Sequence, residues 1–150
     1  MLAEMTEWDD DYAILESSLS REKLVRKLKN TRASGNSWFI WKEGGEYLGW
    51  VIVHWSGKKT EPDYPDMMKL FVREDRRRRG IASKIISACE QKALARGCDR
   101  IGLSVAHTGN EAAKALYRKL GYEFTPREPY PFGQRGQLVL DMVKRLKPED

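Results

Sequence analysis

Apolar and polar positions alternate along this chain with two periods. Residues 38–41 and 47–55 are dominated by aromatic and β-branched side chains, with Lys42-Glu43-Gly44-Gly45-Glu46 between them. That pattern predicts two strands joined by a glycine-containing turn. In the second arm Trp50, Ile52 and His54 fall on one side and Val51, Val53 and Trp55 on the other. Both sides are mostly apolar, so the hairpin is expected inside a sheet covered on both faces. Ahead of it, residues 2–6 read as a short first strand. Residues 9–18 read as a helix with acidic residues at its start, and residues 20–33 as a second helix with the stripe Leu24, Val25 and Leu28. Ser20 suits the cap of that second helix and Ser34-Gly35-Asn36 its stop.

Downstream, residues 56–66 are polar and broken by Gly57, Pro62 and Pro65, which predicts a loop. Residues 67–72 form a strand. A helix follows from about residue 82 to 96, with Ile85, Cys89 and Lys92/Ala93 in one row, Ile86 and Leu94 beside it, and Gly97 at its end. Residues 100–105 are a strand. Residues 111–120 are a helix carrying Ala112, Ala113, Ala115, Leu116 and Leu120, capped by Asn110 and closed by Gly121. Residues 122–125 are a strand, 126–136 a loop with three prolines, 137–144 the last strand and 147–150 a tail. The order predicts one mixed α/β layer structure and a single domain over residues 1–150.

Composition narrows the partners. The chain has 150 residues, is 41% hydrophobic and 33% charged, and carries a net charge of +5 with a pI near 9.2. It is globular, and its charge favours an anionic partner, either nucleic acid or a nucleotide-like small molecule. Cys89 and Cys98 fall in or just after one helix and no secretory pattern precedes them, so the expectation is free thiols in a reducing, cytoplasmic setting. Two cysteines and two histidines widely spread match no zinc spacing, so no metal is expected. No window approaches a membrane span.

The segment 70–86, LFVREDRRRRGIASKII, is a strand, a basic loop and a helix start. Helix starts present unpaired N–H groups and the positive end of the macrodipole, so a phosphate can bind there through the backbone. Gly80 has no Cβ and lets the backbone approach a bound oxygen. The arginines 76–79 raise the local potential. The plainer alternative is a basic surface turn before an ordinary helix.

Here the chain resembles the GCN5-related N-acetyltransferases (GNAT). Arg77-Arg78-Arg79-Gly80-Ile81-Ala82 is similar to that family's acyl-CoA signature, Arg or Gln, two residues, Gly, one residue, then Gly or Ala. Asn110 to Tyr122, NEAAKALYRKLGY, is similar to its second block, Asn…Ala…Leu-Tyr-x-Lys-Leu-Gly-[Phe/Tyr]. The resemblance implies a mixed, mostly antiparallel sheet splayed between strands 4 and 5 (residues 67–72 and 100–105), flanked by helices. It implies acetyl-CoA or another acyl-CoA as co-substrate. Backbone N–H groups near Leu70, Phe71 and Val72 would hold the thioester carbonyl. The amides of Arg77, Arg78, Arg79, Gly80, Ile81, Ala82 and Ser83 would take the pyrophosphate. Tyr117 would be the general acid toward the CoA sulfur; its plainer reading is an aromatic packed on an amphipathic helix. Asn110 would bind the pantetheine arm, cap its helix, or both.

Acyl transfer to an amine needs a deprotonated amine, donors for the developing oxyanion and a proton for the departing thiolate. Many relatives carry a glutamate inside the strand that ends here at Val72, but Met67-Met68-Lys69-Leu70 has no carboxylate. Asp66 at its start, His54 and His107 are the candidate bases, and a water relay is a further route. Acceptor specificity would lie in residues 9–33, 56–66 and 126–136, where Trp55, Tyr64, Tyr130 and Phe132 are candidates for an aromatic pocket. The acceptor is expected to be a small-molecule amine, with a peptide N-terminus or lysine as the alternative, and a homodimer is common in the family. Two other classes stay in view: a basic nucleic-acid-binding module, disfavoured because no nucleic-acid motif appears, and a CoA-binding sensor without turnover.

Overall fold

The computed structural model describes residues 3–7, 36–43, 46–55, 64–76, 80–132 and 135–146. The two helices expected at 9–18 and 20–33, the loop at 56–63, Arg77, Arg78 and Arg79, and the tail at 147–150 lie outside the described residues. Among the described residues the strands are β1 Ala3–Glu7, β2 Ser37–Glu43, β3 Glu46–His54, β4 Asp66–Val72, β5 Arg100–Ala106, β6 Glu123–Phe124, β7 Tyr130–Phe132 and β8 Gln137–Arg145; the helices are α1 Ile81–Ala95 and α2 Glu111–Lys119. A short 3-10 turn, Glu74–Arg76, follows β4. The chain divides into two compact units: Met1–Trp55 with Lys69–Cys89, and Ser56–Met68 with Glu90–Asp150.

In the first unit the strand order is β1-β2-β3-β4. β1 and β2 pair antiparallel, as do β2 and β3. The hairpin arms run further than the turn residues suggested, to Glu43 and Glu46, with a register shift after Trp41. Trp41 faces Gly49 and Lys42 faces Tyr47, so Leu48 is the extra residue of a bulge. The arms bury Phe39, Leu48, Val51, Ile52 and Val53, as two-sided apolar patterning requires. Ile81, Ile85, Ile86 and Cys89 form the buried stripe of α1. Each buried isoleucine contributes roughly 1.5–3 kcal/mol.

In the second unit the order is β4-β5-β8-β6, with β7 also on β8. β4 pairs β5 in parallel through Asp66 with Gly102 and Met67 with Leu103, the first two residues of β4. β8 pairs antiparallel with β5, β6 and β7. The result is the mixed, mostly antiparallel sheet with two described helices that the sequence implied.

One local expectation needs correction, and the two helices gain detail. Residues 126–136 hold a strand: Tyr130, Pro131 and Phe132 pair with Val139, Leu138 and Gln137. A proline is tolerated in such a short strand because the ladder there does not need its missing N–H. In α1, Lys92 is exposed and Ala93 takes the buried place in the row. In α2 the apolar alanines are not the buried set. Ala112 and Ala115 are exposed, and Lys114, at 9% exposure, is the buried residue. Its stem lies inward while Nζ donates to the carbonyl of His107 at 3.0 Å.

Candidate functional site

The helix start expected to take an anion is built in the first unit. Gly80 has φ +77 and is exposed, and a Cβ built on it would meet nothing within 4 Å. Its carbonyl accepts the N–H of Lys84 at 3.1 Å, which makes Gly80 the cap of α1. Ile81 turns into the core, and Ala82 and Ser83 are half-buried. The first amides of a helix have no carbonyl four residues back, and the first turn of α1 carries no acidic side chain. Among the described residues the cap therefore presents open space at Gly80 and a first turn without an acidic side chain.

β4 leads into that turn. Leu70 is half-buried, Phe71 is 38% exposed and Val72 is buried. Phe71 stacks on Trp50, with ring centroids 4.5 Å apart and an interplanar angle of 29°. The N–H of Arg73 bonds the carbonyl of Leu48 at 2.8 Å and holds the end of β4 to β3. At the end of β3, His54 is half-buried. Trp55 is tied down by its indole N–H, which donates to Ser37 Oγ at 2.8 Å, and by an edge contact with Phe39.

The remaining candidates belong to the second unit. Asp66 opens β4 and is 2% exposed. Tyr64 beside it is buried, with its ring over Gly102, where a Cβ would stand 2.5 Å from Cε1. The Arg100 guanidinium lies 5.1 Å from the same ring. Tyr64 is thus packed into β5. His107 is exposed just past β5, with its N–H bonded to Leu138 O at 2.9 Å.

Asn110 precedes α2 in a left-handed conformation, φ 54 and ψ 40, and its side chain makes no capping hydrogen bond. Asn110 holds the expected N-cap position through its carbonyl, which accepts the Lys114 N–H at 3.2 Å, and not through its side chain. The exposed amide is not spent on the helix.

Tyr117 lies half-buried on α2, edge-to-face with Tyr122 at 6.4 Å. Tyr122 is itself fixed through its hydroxyl to Glu90 at 2.8 Å, and Glu90 pairs with Lys144 at 3.1 Å. Burial pushes the Tyr117 phenol above the ordinary tyrosine value of 10.0, because the phenolate would lose solvation. Tyr117 therefore keeps its proton through neutral pH, the form a general acid needs.

Tyr130 and Phe132 stand edge-to-face at 6.4 Å on β7. Sequence reasoning missed what anchors them. Asp141 in β8 is 5% exposed and accepts from Tyr130 Oη at 2.5 Å and Ser104 Oγ at 3.3 Å, while Arg127 Nη1 lies 3.4 Å from its other oxygen. The signal in the sequence was a lone acid inside the apolar run Leu138 to Val143. Lys114, which ties α2 to His107, was missed in the same way. Among the described residues no cluster of three or more His, Cys, Asp or Glu is placed to hold a metal ion, and no helix is long and apolar enough to cross a membrane. Cys89 and Cys98 form no disulfide.

A mixed sheet with β4 leading through a glycine cap into α1 is the frame of the GNAT fold. The model of the Acetyltransferase (GNAT) family matches residues 2–122, and the chain belongs to that family. An acetyltransferase of Pectobacterium atrosepticum is 40% identical over 79 residues, covering 53% of this chain and 52% of the relative. The matched stretch thus spans about half the length of the curated relatives. Among solved structures, the ribosomal-protein-S18-alanine N-acetyltransferase from Escherichia coli superposes with a TM-score of 0.72 at 16% identity, covering 99% of this chain and 97% of that one. A GNAT family acetyltransferase from Elizabethkingia anophelis with acetyl-CoA bound gives 0.67 at 14% identity, covering 96% and 98%. At these identities the structural matches establish the fold.

Proposed function

We propose that this protein is an acetyl-CoA-dependent N-acetyltransferase acting on a primary amine, with a small-molecule amine as the preferred acceptor. The observation that carries the reading is the cap of α1. Gly80 leaves open space over the first amides of a helix that has no acid in its first turn. That is the chemistry a pyrophosphate requires, so the residues present fit coenzyme A. A solved neighbour of the same fold is described with acetyl-CoA bound, which supports the choice of co-substrate. When bound, acetyl-CoA supplies an activated thioester.

In this reading the amides of residues 80–83 take the pyrophosphate, with Arg77, Arg78 and Arg79 adding positive potential. A backbone N–H in the stretch Leu70, Phe71 and Val72, on the edge of β4 turned away from β3, donates to the carbonyl oxygen as it gains charge. Asn110 offers its uncommitted amide to the pantetheine arm. Asp66 accepts, directly or through water, the proton that the acceptor ammonium loses before its neutral amine attacks. Tyr117 gives its proton to the departing thiolate. Two cysteines outside any disulfide fit a reducing, cytoplasmic setting.

The test has two parts. Acetyl-CoA at a hundredfold excess over Kd should stabilise the protein by about 2.7 kcal/mol and raise its melting temperature. A panel of primary amines, followed by the thiol released from CoA, should then identify the acceptor. No thermal shift at millimolar acetyl-CoA, together with no thiol release, would refute the reading.

A further inference from the structure

The Asp141 cluster holds a cation whose binding edge is unused. Asp141 sits in the middle of β8, buried, and a carboxylate taken out of water persists only with compensating donors and charge. Tyr130 and Ser104 supply the donors and Arg127 the charge. Arg127 is in turn held at three points. Its Nη1 meets Asp141 Oδ2 at 3.4 Å, its guanidinium lies 3.7 Å from the Tyr130 ring centroid, and its backbone N–H donates to Thr125 Oγ1 at 3.3 Å. The first two tethers hold the guanidinium and the third holds the backbone that carries it.

Only the Nη1 end is committed. Nε and Nη2 have no hydrogen-bond partner among the described residues, and the side chain is 30% exposed. The Nε–H and Nη2–H bonds run side by side on one edge of an arginine, a fork that matches the two oxygens of a carboxylate. The same edge is used elsewhere in this chain, where Nε and Nη2 of Arg73 hold both oxygens of Asp75 at 3.2 and 2.8 Å. Arg127 also occupies one face of Tyr130, so that face is not open to an acceptor cation.

We propose that the Nε–Nη2 edge of Arg127 binds a carboxylate of the amine acceptor, so that the acceptor is an amino acid or another amine bearing a carboxylate. Asp141 and Tyr130 are its positioning residues. The proposal rests on the N-acetyltransferase reading and narrows its acceptor class.

The probes are phenylalanine, lysine and glutamate, each with its amide and its decarboxylated amine, assayed by thiol release. Wild-type kcat/KM should favour a free acid over its amide by roughly tenfold or more, the scale of a charge-assisted hydrogen-bonded pair. Arg127→Gln should bring that ratio to about one through a higher acceptor KM, with the KM for acetyl-CoA unchanged, and Arg127→Lys should restore part of it. A wild-type ratio of one for all three, or an intact ratio in Arg127→Gln, would overturn the proposal. Calorimetric titration of the N-acetyl forms of the same acids and amides gives a readout that needs no turnover. Wild type should prefer the acids and Arg127→Gln should not; no preference in wild type overturns the assignment. Failure of the underlying reading is different: acetyl-CoA would leave the melting temperature unmoved and no amine would release CoA.

Discussion

Gly49 stands against the backbone of Phe71. A Cβ on Gly49 would lie 2.7 Å from the Phe71 carbonyl oxygen, 3.0 Å from Cδ1 of Ile85 and 3.4 Å from Cα of Val72. A backbone atom cannot swing aside as a flexible side chain can. Gly49→Ala should therefore push β3 away from β4 and cost about 1–3 kcal/mol, measured by denaturant unfolding. Phe71 and Val72 are also proposed to face the thioester. Acetyl-CoA affinity should fall in the folded variant more than in a control variant of equal instability placed elsewhere.

Gly80 separates two effects that a single substitution would merge. Its φ of +77 is strained for most L-residues, yet there is open space for a side chain. Asparagine tolerates the left-handed region and β-branched residues do not. Gly80→Asn should keep stability within about 1 kcal/mol, whereas Gly80→Val should lose roughly 1–2 kcal/mol or more. Both place atoms over the amides of the cap, so both should weaken acetyl-CoA binding in calorimetric titration. Unchanged affinity in Gly80→Asn would count against a pyrophosphate at this cap.

Tyr117→Phe removes a proton donor and keeps the ring that packs on Tyr122. Turnover should fall by about 10²–10⁴-fold with little change in the Kd for acetyl-CoA. The raised phenol sets the pH dependence. Folded Tyr117 keeps its proton above pH 10, where the unfolded tyrosine has begun to lose it. Its contribution to stability is intact below that value and is lost as pH rises through the folded pKa. Wild type should lose stability in that alkaline window and Tyr117→Phe should lose less, read from melting temperature against pH.

The three candidate bases are compared through their acidic limbs. Asp66→Asn should flatten the acidic limb of kcat/KM, while His54→Ala and His107→Ala should retain it. The contrast is sharpest for His107, which is exposed beyond β5, whereas Asp66 is buried at the start of β4. A retained limb in all three would assign proton removal to water.

The hairpin, α1 and the glycine cap were readable because each depends on near neighbours in sequence. Period-2 patterning marked Val51 and Val53, and period-3.6 patterning marked Ile85 and Cys89. The two motif blocks pointed to the family for the same reason, since backbone cradles are written in contiguous residues. β7 was missed because Pro126, Pro129 and Pro131 signal a loop locally, and only β8 across from them makes Tyr130–Phe132 a strand.

What the sequence by itself determined is therefore the order of elements, the family and the helix start that suits a phosphate, all set by local periodicity and backbone chemistry. The tertiary structure decided which polar groups are buried and what they meet. Lys114 reaches the His107 carbonyl across seven residues, Tyr122 reaches Glu90 across 32, and Asp141 gathers Ser104 from β5 with Arg127 and Tyr130 from the segment before β8. A buried charge is tolerated only where distant partners compensate it, and one-dimensional patterning cannot show which partners the sheet brings together.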